Sequence, residues 1–396
     1  MSRWIRSSLV ALLALAALPV VPVVAQTNAD CHLYGTHSDG ASYCITLPSL
    51  GTLNGGLVIF AHGYVGVDEP LDIPWSQMAL PDGSGGVVYM NELVNSQGFA
   101  FATTSYSVNG LAVKQGILDV LDLVEVFRQQ VYPPAAVLLV GASEGGLVTT
   151  LAIERYPGTF AGGLSTCGPI GDFRGQINYW GDFRVVFDYF MDRPGFNILP
   201  GSAVDIPQRL MAGWDSYYVP RIAASLTSYP SRTAQMLSVT GVPYEPSDPV
   251  ATIGETTLGI LWYNVFATND GIEKLGGQPF DNLDRVYGGS ADDLLLNRRV
   301  KRFSADPSAL AEIEENYETT GVLARPLVTM HTTGDPIVPA WHQDLYALKV
   351  GGVYPLSPYM PNTINRYGHC SFTLAEIMAG FSQLVFMVAH TPPILP

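Results

Sequence analysis

The order of apolar runs and helical patterns along this chain predicts an α/β protein with a mostly parallel sheet between two layers of helices. Two observations support this prediction. Short, continuous apolar runs such as residues 57–61 are typical of strands that are buried on both faces. Segments with apolar residues at helical spacing separate these runs. Strands that alternate with helices in this way form a parallel sheet.

The first half of the pattern contains three strands and two helices. Residues 57–61 follow two glycines, and residues 99–106 are a second apolar run. Apolar residues then recur at helical spacing from residue 113 to residue 127, which predicts a helix that ends before two prolines. Residues 136–140 are a third strand, and the helix that begins at Ser143 ends near residue 155, before a Pro-Gly pair.

The second half resumes the pattern after a long interruption. Residues 160–166 are a weak fourth strand, and strands at 326–331 and 363–367 precede a closing helix over 374–388. Residues 168–325 are instead rich in Tyr, Trp and Phe, with a mainly helical pattern and many turn residues. We predict that they form a cap over the carboxyl edge of the sheet, where open α/β folds bind ligands. The core then consists of residues 26–167 and 326–396.

A short sequence repeat lies at the start of this insertion. The sequence Gly-Asp-Phe-Arg occurs at residues 171–174 and again at residues 181–184. One tandem pair is too little for a repeat architecture. We interpret the two copies as two similar turns that order the start of the insertion.

The first 25 residues have the pattern of a secretory signal. Arg3 and Arg6 precede an apolar stretch, and small residues at 23–25 suit a cleavage site. Pro19 and Pro22 interrupt the apolar run before it reaches about 18 residues, which argues against a membrane anchor. The sequence therefore predicts a secreted or periplasmic protein without an integral membrane anchor.

Four cysteines follow the signal, namely Cys31, Cys44, Cys167 and Cys370. An even number of cysteines in an exported protein favours two disulfides, and buried free thiols are the alternative. Three pairings are possible, and the sequence alone does not choose among them. Cys31 with Cys44 is the local choice, which leaves Cys167 with Cys370.

Composition argues against two classes of protein. The net charge of −15 lacks the basic excess that a nucleic-acid partner would need. A hydrophobic content of 47% with 14% charged residues is typical of a globular chain and not of a disordered one.

No His-Glu-x-x-His or Cys-x-x-Cys pattern occurs, so we expect neither a metal nor a cofactor. The sequence leaves the oligomeric state open.

The segment at residues 141–145, of the form G-x-S-x-G, predicts a nucleophilic serine. It joins the apolar run at 136–140 to the helix that follows. A serine hydroxyl becomes a good nucleophile when a sharp turn exposes it beside a base, and small flanking residues let the strand and helix approach closely there. We therefore predict that Ser143 is a catalytic nucleophile.

Two backbone N–H groups, those of Tyr64 and Glu144, are the predicted oxyanion hole. A tetrahedral intermediate needs such donors, one from the residue after the nucleophile and one from a loop after an earlier strand. Glu144 follows Ser143 directly, and Tyr64 ends the sequence His62-Gly63-Tyr64 after the strand at 57–61. A plain turn is the alternative reading of the His62–Tyr64 sequence.

Asp335 and His369 complete the predicted catalytic triad. Asp335 lies in a Gly-Asp-Pro turn after the strand at 326–331, where an Asx-turn is the alternative role. Of the seven histidines, His369 is the one that follows this acid on a loop after a strand. Histidine takes and returns a proton readily near neutral pH, and a carboxylate fixes its tautomer.

The chain order Ser143, Asp335, His369, together with the motifs around these residues, resembles the α/β-hydrolases of the serine esterase, lipase and peptidase type. The resemblance covers residues 55–165 and 326–388, and it implies an eight-stranded sheet with a cap inserted after strand six. Tannase and feruloyl esterase relatives tie the nucleophile turn to the histidine loop with a disulfide. Cys370 matches the histidine side of that bridge, but Ala142 stands where the other cysteine would be, so any bridge from Cys370 would go to Cys167.

The predicted function is that of an exported serine hydrolase acting on small-molecule or polymeric carboxylic esters. The aromatic insertion suits an apolar or aromatic group, although its rings could equally be the core of the cap. A serine exopeptidase of the same fold is the alternative, with Glu312, Glu314 and Glu315 for a substrate amino group. That acidic run is more typical of a solvated helix face. A non-catalytic binding protein on a hydrolase fold is the third possibility.

Overall fold

The computed structural model describes residues 26–49, 51–192, 195–353 and 357–391 of the chain. The predicted signal at residues 1–25 lies outside these described residues. Within the described ranges, no helix is both long enough and apolar enough to cross a bilayer.

Strands and helices alternate along the chain, with one long helical interval. The strands are β1 (Leu33–Thr36), β2 (Ser42–Thr46), β3 (Gly56–Ala61), β4 (Ala79–Pro81), β5 (Val87–Tyr89), β6 (Ala100–Thr104), β7 (Ala136–Ala142), β8 (Gly162–Thr166), β9 (Leu327–Gly334) and β10 (Tyr359–Tyr367). The helices are α1 (Met90–Ser96), α2 (Val113–Gln130), α3 (Glu144–Arg155), α4 (Phe173–Met191), α5 (Gln208–Ala212), α6 (Val219–Ser228), α7 (Pro230–Thr240), α8 (Pro249–Lys274), α9 (Asp293–Arg299), α10 (Pro307–Asn316), α11 (Trp341–Val353) and α12 (Leu374–His390). Short 3-10 helices at Asn28–Asp30 and Trp75–Met78 and a π-helix at Trp214–Tyr218 complete the list.

Eight strands form the main sheet in the order β1-β2-β6-β3-β7-β8-β9-β10. β2 is antiparallel to both of its neighbours, and all the other pairs are parallel. The predicted α/β class with a mostly parallel eight-stranded sheet is therefore confirmed. This strand order, with one reversed strand near its edge, is the α/β-hydrolase fold that the resemblance implied.

The central strands of the sheet are buried on both faces, and the side chains of β3 illustrate this. Leu57 and Ile59 pack into the apolar cluster on one face, which includes α2 and α3. Val58 and Phe60 pack into the cluster on the other face, which includes α1 and α12. Because successive side chains of a strand point to opposite faces, a strand buried on both faces must be apolar at every position.

Several elements were not predicted from the sequence pattern. β1 and β2 are only 4 and 5 residues long and lie in a segment with many turn residues. The hairpin of β4 and β5, the helix α1 and the helix α11 were also missed. The last strand was predicted too short, since β10 begins at Tyr359.

Helices α4 to α10 lie between β8 and β9, in the region predicted to be mainly helical. They build an apolar cluster of their own, which also takes in Ile337 and Val338 of the loop after β9. We call residues 168–325 the insertion. The interpretation of the Gly-Asp-Phe-Arg repeat as two turns is wrong for its second copy. Asp172 caps the N-terminus of α4, but residues 181–184 lie in the middle of that helix.

Candidate active site

Ser143 lies in a tight turn between β7 and α3, as the G-x-S-x-G sequence predicts. Its backbone has φ 56° and ψ −121°, a combination that L-residues rarely adopt. A Cβ built on Gly145 would lie 2.0 Å from the Ala61 carbonyl oxygen, and one built on Gly141 would lie 2.0 Å from the Gly145 carbonyl oxygen. Glycine is therefore required at both positions, because any side chain would separate the turn from β3 and α3.

The structure brings Ser143, His369 and Asp335 together in one hydrogen-bonded chain. His369 Nε2 lies 2.9 Å from Ser143 Oγ, and His369 Nδ1 lies 2.7 Å from Asp335 Oδ2. An ionised carboxylate only accepts hydrogen bonds, so Nδ1 carries the proton of the neutral ring and Nε2 accepts from the serine hydroxyl. This is the arrangement that a serine nucleophile and its base require.

Asp335 is held in place by the loop that follows β9. Its Oδ1 accepts the backbone N–H groups of Ile337 and Val338, both at 2.9 Å, which leaves Oδ2 for His369. A second histidine, His331, lies 3.6 Å from Oδ2 and donates from Nε2 to the Val338 carbonyl oxygen. Burial lowers the pKa of His331, so it contributes a neutral ring to this site. The sequence pattern places His331 only in a strand, because its contact with the loop follows from the fold.

The insertion supports the Asp335 loop through the first turns of α4. Gln176 Nε2 and Trp180 Nε1 both donate to the Ile337 carbonyl oxygen, at 2.9 and 3.1 Å. The Tyr179 hydroxyl donates to the Pro336 carbonyl oxygen at 2.8 Å. The loop that holds Asp335 is therefore fixed from both the core and the insertion.

Two disulfides are present, and they pair Cys31 with Cys44 and Cys167 with Cys370. Cys167 directly follows β8, and Cys370 directly follows His369. The second bridge therefore attaches the histidine loop to the end of a central strand. Cys167, His369 and Cys370 are also the group of metal-ligand residue types that lies close together in the described chain, and the two sulfurs are already bonded to each other.

Of the two predicted oxyanion donors, Glu144 belongs to the nucleophile turn and Tyr64 belongs to a loop that lies against it. Glu144 begins α3, so its N–H has no partner within the helix. The loop of Tyr64 lies against the turn, since a Cβ on Gly63 would be 3.2 Å from both Ser143 Cβ and the Ala142 carbonyl oxygen. Among the described residues, neither the Tyr64 nor the Glu144 N–H donates a hydrogen bond.

The Glu144 side chain is buried beside the nucleophile. Its Oε1 accepts the Ala112 N–H at 2.8 Å, and its buried Oε2 has no partner among the described residues. Burial raises the pKa of Glu144 to about 8, and the Ala112 N–H and the charge of Lys274 oppose this shift only in part. The side chain is therefore neutral near neutral pH, and the N–H beside it adjoins no negative charge.

A cavity of about 870 Å³, counted with the space open to solvent, contains Ser143 in its wall. Most of its lining is apolar or aromatic, and much of it comes from the insertion: Phe173, Ile177, Trp180, Ala203, Val204, Ala267, Leu275, Pro279 and Phe280. The amide side chains of Gln176, Asn264 and Gln278 also line it, but all three are hydrogen-bonded within the protein.

Tyr263 also lines this cavity. Its ring stacks on Trp180 with the ring centroids 4.8 Å apart, and the Tyr64 ring meets it edge-on at 5.7 Å. Within the described part of the chain, the Tyr263 hydroxyl makes no hydrogen bond, although the residue lines the cavity with Ser143. Burial raises the pKa of Tyr263 far above its usual value, so the hydroxyl stays protonated and able to donate.

Comparisons with known proteins give only distant similarities. Neither family models nor curated proteins match the chain. Among solved structures, an acylaminoacyl peptidase of Pyrococcus horikoshii is 12% identical with a TM-score of 0.40, and the match covers 89% of this chain but 39% of the peptidase. An esterase of Pyrococcus furiosus is 12% identical with a TM-score of 0.44 over 91% of this chain and 89% of its own. Est1E from Butyrivibrio proteoclasticus is 11% identical with a TM-score of 0.37 over 90% and 97%.

Proposed function

We propose that this protein is a serine hydrolase that cleaves carboxylic esters through an acyl-enzyme on Ser143. The observation that supports this most directly is the hydrogen-bonded chain of Ser143, His369 and Asp335, with distances of 2.9 and 2.7 Å, in the wall of an apolar cavity. In this mechanism His369 is the general base and then the general acid, and Asp335 orients it.

The reaction has two halves. Ser143 Oγ attacks the carbonyl carbon while its proton passes to His369 Nε2, and the carbonyl electron pair moves onto the oxygen. The backbone N–H groups of Tyr64 and Glu144 stabilise this oxyanion. The intermediate collapses, and the leaving alcohol takes the proton from His369. Water, deprotonated by His369, then attacks the acyl group and restores Ser143.

The cavity favours uncharged, apolar substrates. Of the described residues that line it, none is a lysine, arginine or histidine, and the one acid is Glu144, which is neutral near neutral pH. A substrate carboxylate would lose its hydration there without gaining a positive partner. The rings of Phe173, Trp180 and Phe280 suit an apolar or aromatic acyl or alcohol group.

A serine exopeptidase remains the alternative function. Such an enzyme needs charged groups that hold a peptide terminus in the substrate cavity. Glu312 pairs with Lys114 at 2.8 Å, and Glu314 and Glu315 are exposed, so the acidic run on α10 is a solvated face and lines no part of the cavity. These contacts favour the ester hydrolase over the peptidase.

Export is part of the proposal. The signal-like residues 1–25 lie outside the described residues, but two disulfides are typical of an oxidising compartment. We propose that the chain acts outside the cytoplasm, in the periplasm or the medium.

The test is hydrolysis of p-nitrophenyl esters from acetate to palmitate by the protein and by its Ser143→Ala variant. An amino-acid p-nitroanilide is assayed beside them. We expect ester turnover that the substitution abolishes, and a chain-length profile that separates an esterase from a lipase. Anilide cleavage without ester turnover would establish the peptidase, and equal rates for both proteins would contradict a serine hydrolase.

A further inference from the structure

The loop that carries the Tyr64 N–H is held by the side-chain amide of one residue, Gln77. The Gly63 N–H donates to Gln77 Oε1 at 2.7 Å, and Gln77 Nε2 donates to the Tyr64 carbonyl oxygen at 3.2 Å. Gln77 thus contacts the backbone immediately before and immediately after the Gly63–Tyr64 peptide bond. It does not line the cavity that contains Ser143.

The Gly63–Tyr64 peptide group has a third attachment. His62 Nδ1 lies 2.7 Å from the Gly63 carbonyl oxygen, and its buried ring stacks on Tyr106 with centroids 3.8 Å apart. Burial lowers the pKa of His62 to about 4, so the ring is neutral and donates from Nδ1. In a planar trans peptide the N–H points opposite to the C=O. The bond to His62 therefore directs the Tyr64 N–H away from the core.

Gln77 is itself anchored. It lies on the 3-10 helix Trp75–Met78, where its N–H donates to the Pro74 carbonyl oxygen at 2.9 Å. The next residue, Met78, is fully buried, and Trp75 Nε1 donates to Asn28 Oδ1 at 3.0 Å. The amide is consequently presented from a fixed turn.

The two bonds need an acceptor and a donor at fixed places. A glutamine amide supplies one of each. A glutamate would keep the bond from Gly63 N–H, but it would place an oxygen against the Tyr64 carbonyl and a negative charge near the oxyanion. A leucine has a similar length and makes neither bond.

We propose that Gln77 is a positioning residue for the oxyanion hole, which aims the Tyr64 N–H at the developing oxyanion without touching the substrate. This inference rests on the proposed serine hydrolase. A purely structural role would lower the stability of the protein. A positioning role instead predicts slower rates in the steps where an oxygen gains negative charge, which are attack on an ester carbonyl and attack on the phosphorus of a phosphonate inhibitor.

The test compares Gln77→Leu and Gln77→Glu with a matched control, Gln235→Leu. Gln235 has the same pair of bonds to backbone, from the Ala291 N–H and to the Ser231 carbonyl oxygen, but it lies on α7 and does not line the cavity. For each protein we would measure kcat and KM for p-nitrophenyl acetate, the rate constant of labelling by an alkyl fluorophosphonate, and the melting temperature.

We expect Gln77→Leu to lower kcat and the labelling rate at least about tenfold with little change in KM, since deleting an oxyanion donor outright costs about 10²–10³ in kcat. Gln77→Glu should lose more, and Gln235→Leu should behave as the wild type. Wild-type kcat and labelling in a folded Gln77→Leu protein would overturn the inference alone. A wild-type protein that labels no faster than Ser143→Ala would overturn the proposed function and this inference with it.

Discussion

At the scale of single residues, the two carboxylate oxygens of Asp335 have different hydrogen-bond partners. Oδ1 is used by two backbone N–H groups of its own loop, and Oδ2 by the His369 ring. The first pair fixes the carboxylate, and the remaining oxygen then fixes the tautomer of the histidine. An asparagine at position 335 would keep the shape of the side chain. Its amide N–H would then face His369 Nδ1, which also carries a proton.

We therefore expect Asp335→Asn to fold normally and to lower kcat for p-nitrophenyl esters by about 10³–10⁴, because the ring would turn or adopt the wrong tautomer. Steady-state kinetics with circular dichroism checks both parts. Asp344→Asn on α11 is the control, since Asp344 is exposed and belongs to no hydrogen bond of the site. A kcat within threefold of wild type would contradict the role of Asp335.

Glu144 gives a prediction about pH. Its pKa is raised to about 8 in the folded protein from an ordinary value of 4.5. Between these values the unfolded chain releases the proton while the folded protein keeps it, so the free energy of unfolding falls as pH rises through this range. Glu144→Gln removes the effect. We expect the variant to gain stability over wild type between pH 5 and pH 8, by at most about 1.4 kcal/mol for each pH unit.

Urea unfolding at several pH values measures this difference. The control is Glu376→Gln, because hydrogen bonds from Arg366 lower the pKa of Glu376 to about 2. The stability that Glu376 contributes is present above its unfolded pKa and is lost only in acid, so this variant should differ from wild type by a constant amount from pH 5 to pH 8. A constant difference for Glu144→Gln as well would contradict a neutral Glu144.

The sequence predicted the site residues that local motifs and their order along the chain identify. Ser143, Asp335 and His369 each follow a strand, and in the structure both Ser143 and Asp335 lie within hydrogen-bond distance of the His369 ring. Gln77 and His331 were not predicted, because each acts through one or two contacts that only the folded loops create. Nothing in the neighbourhood of Gln77 in the sequence distinguishes it from any polar residue in a turn.

At the scale of elements, the two Gly-Asp-Phe-Arg copies show how context decides local structure. Asp172 accepts the Gly175 N–H and starts α4, whereas Asp182 lies inside the helix and accepts from Tyr287 and Arg285. Gly181 packs against Phe280, where a Cβ would lie 2.4 Å from the ring. Glycine favours a turn by itself, but here it allows a close helix contact that the sequence could not reveal.

This contact predicts opposite effects for two glycine-to-alanine changes. Alanine favours a helix over glycine by about 1 kcal/mol. Gly254 in α8 has no atom within 4 Å of an added Cβ, so Gly254→Ala should raise the melting temperature by a few degrees. Gly181→Ala should lower it, because the Phe280 ring would have to move. Differential scanning calorimetry on both variants checks the signs, and a stabilised Gly181→Ala protein would contradict the packing.

At the scale of the whole molecule, the core and the insertion each have an apolar cluster, and the cavity lies where both contribute residues. The class of fold followed from apolar runs that alternate with segments of helical spacing, and both patterns depend on residues that are close in sequence. The reversed β2 and the edge strand β1 did not, because strands of 4 and 5 residues owe their structure to pairing with β6 and with each other. The shape of the cavity likewise depends on distant segments.

The cavity predicts how substrate size is limited. Ala267 of α8 lines it, so Ala267→Phe should fill part of the cavity that contains Ser143. We expect kcat/KM for the longest well-cleaved p-nitrophenyl ester to fall at least about tenfold relative to the acetate. Ala251→Phe, on an exposed position of the same helix, is the control. An unchanged chain-length profile would show that acyl groups bind elsewhere.

The bridge between Cys167 and Cys370 spans 203 residues of sequence, and those residues include the whole insertion. A protease that cut once within residues 168–325 would leave Ser143 on one fragment and Asp335 and His369 on the other. The two fragments would nevertheless remain one covalent molecule, migrating as a single band until a reductant separated them. The cut protein should therefore keep Ser143, Asp335 and His369 in one molecule. A thiol reductant would separate its two fragments, whereas the uncut chain would remain a single polypeptide in the same reductant.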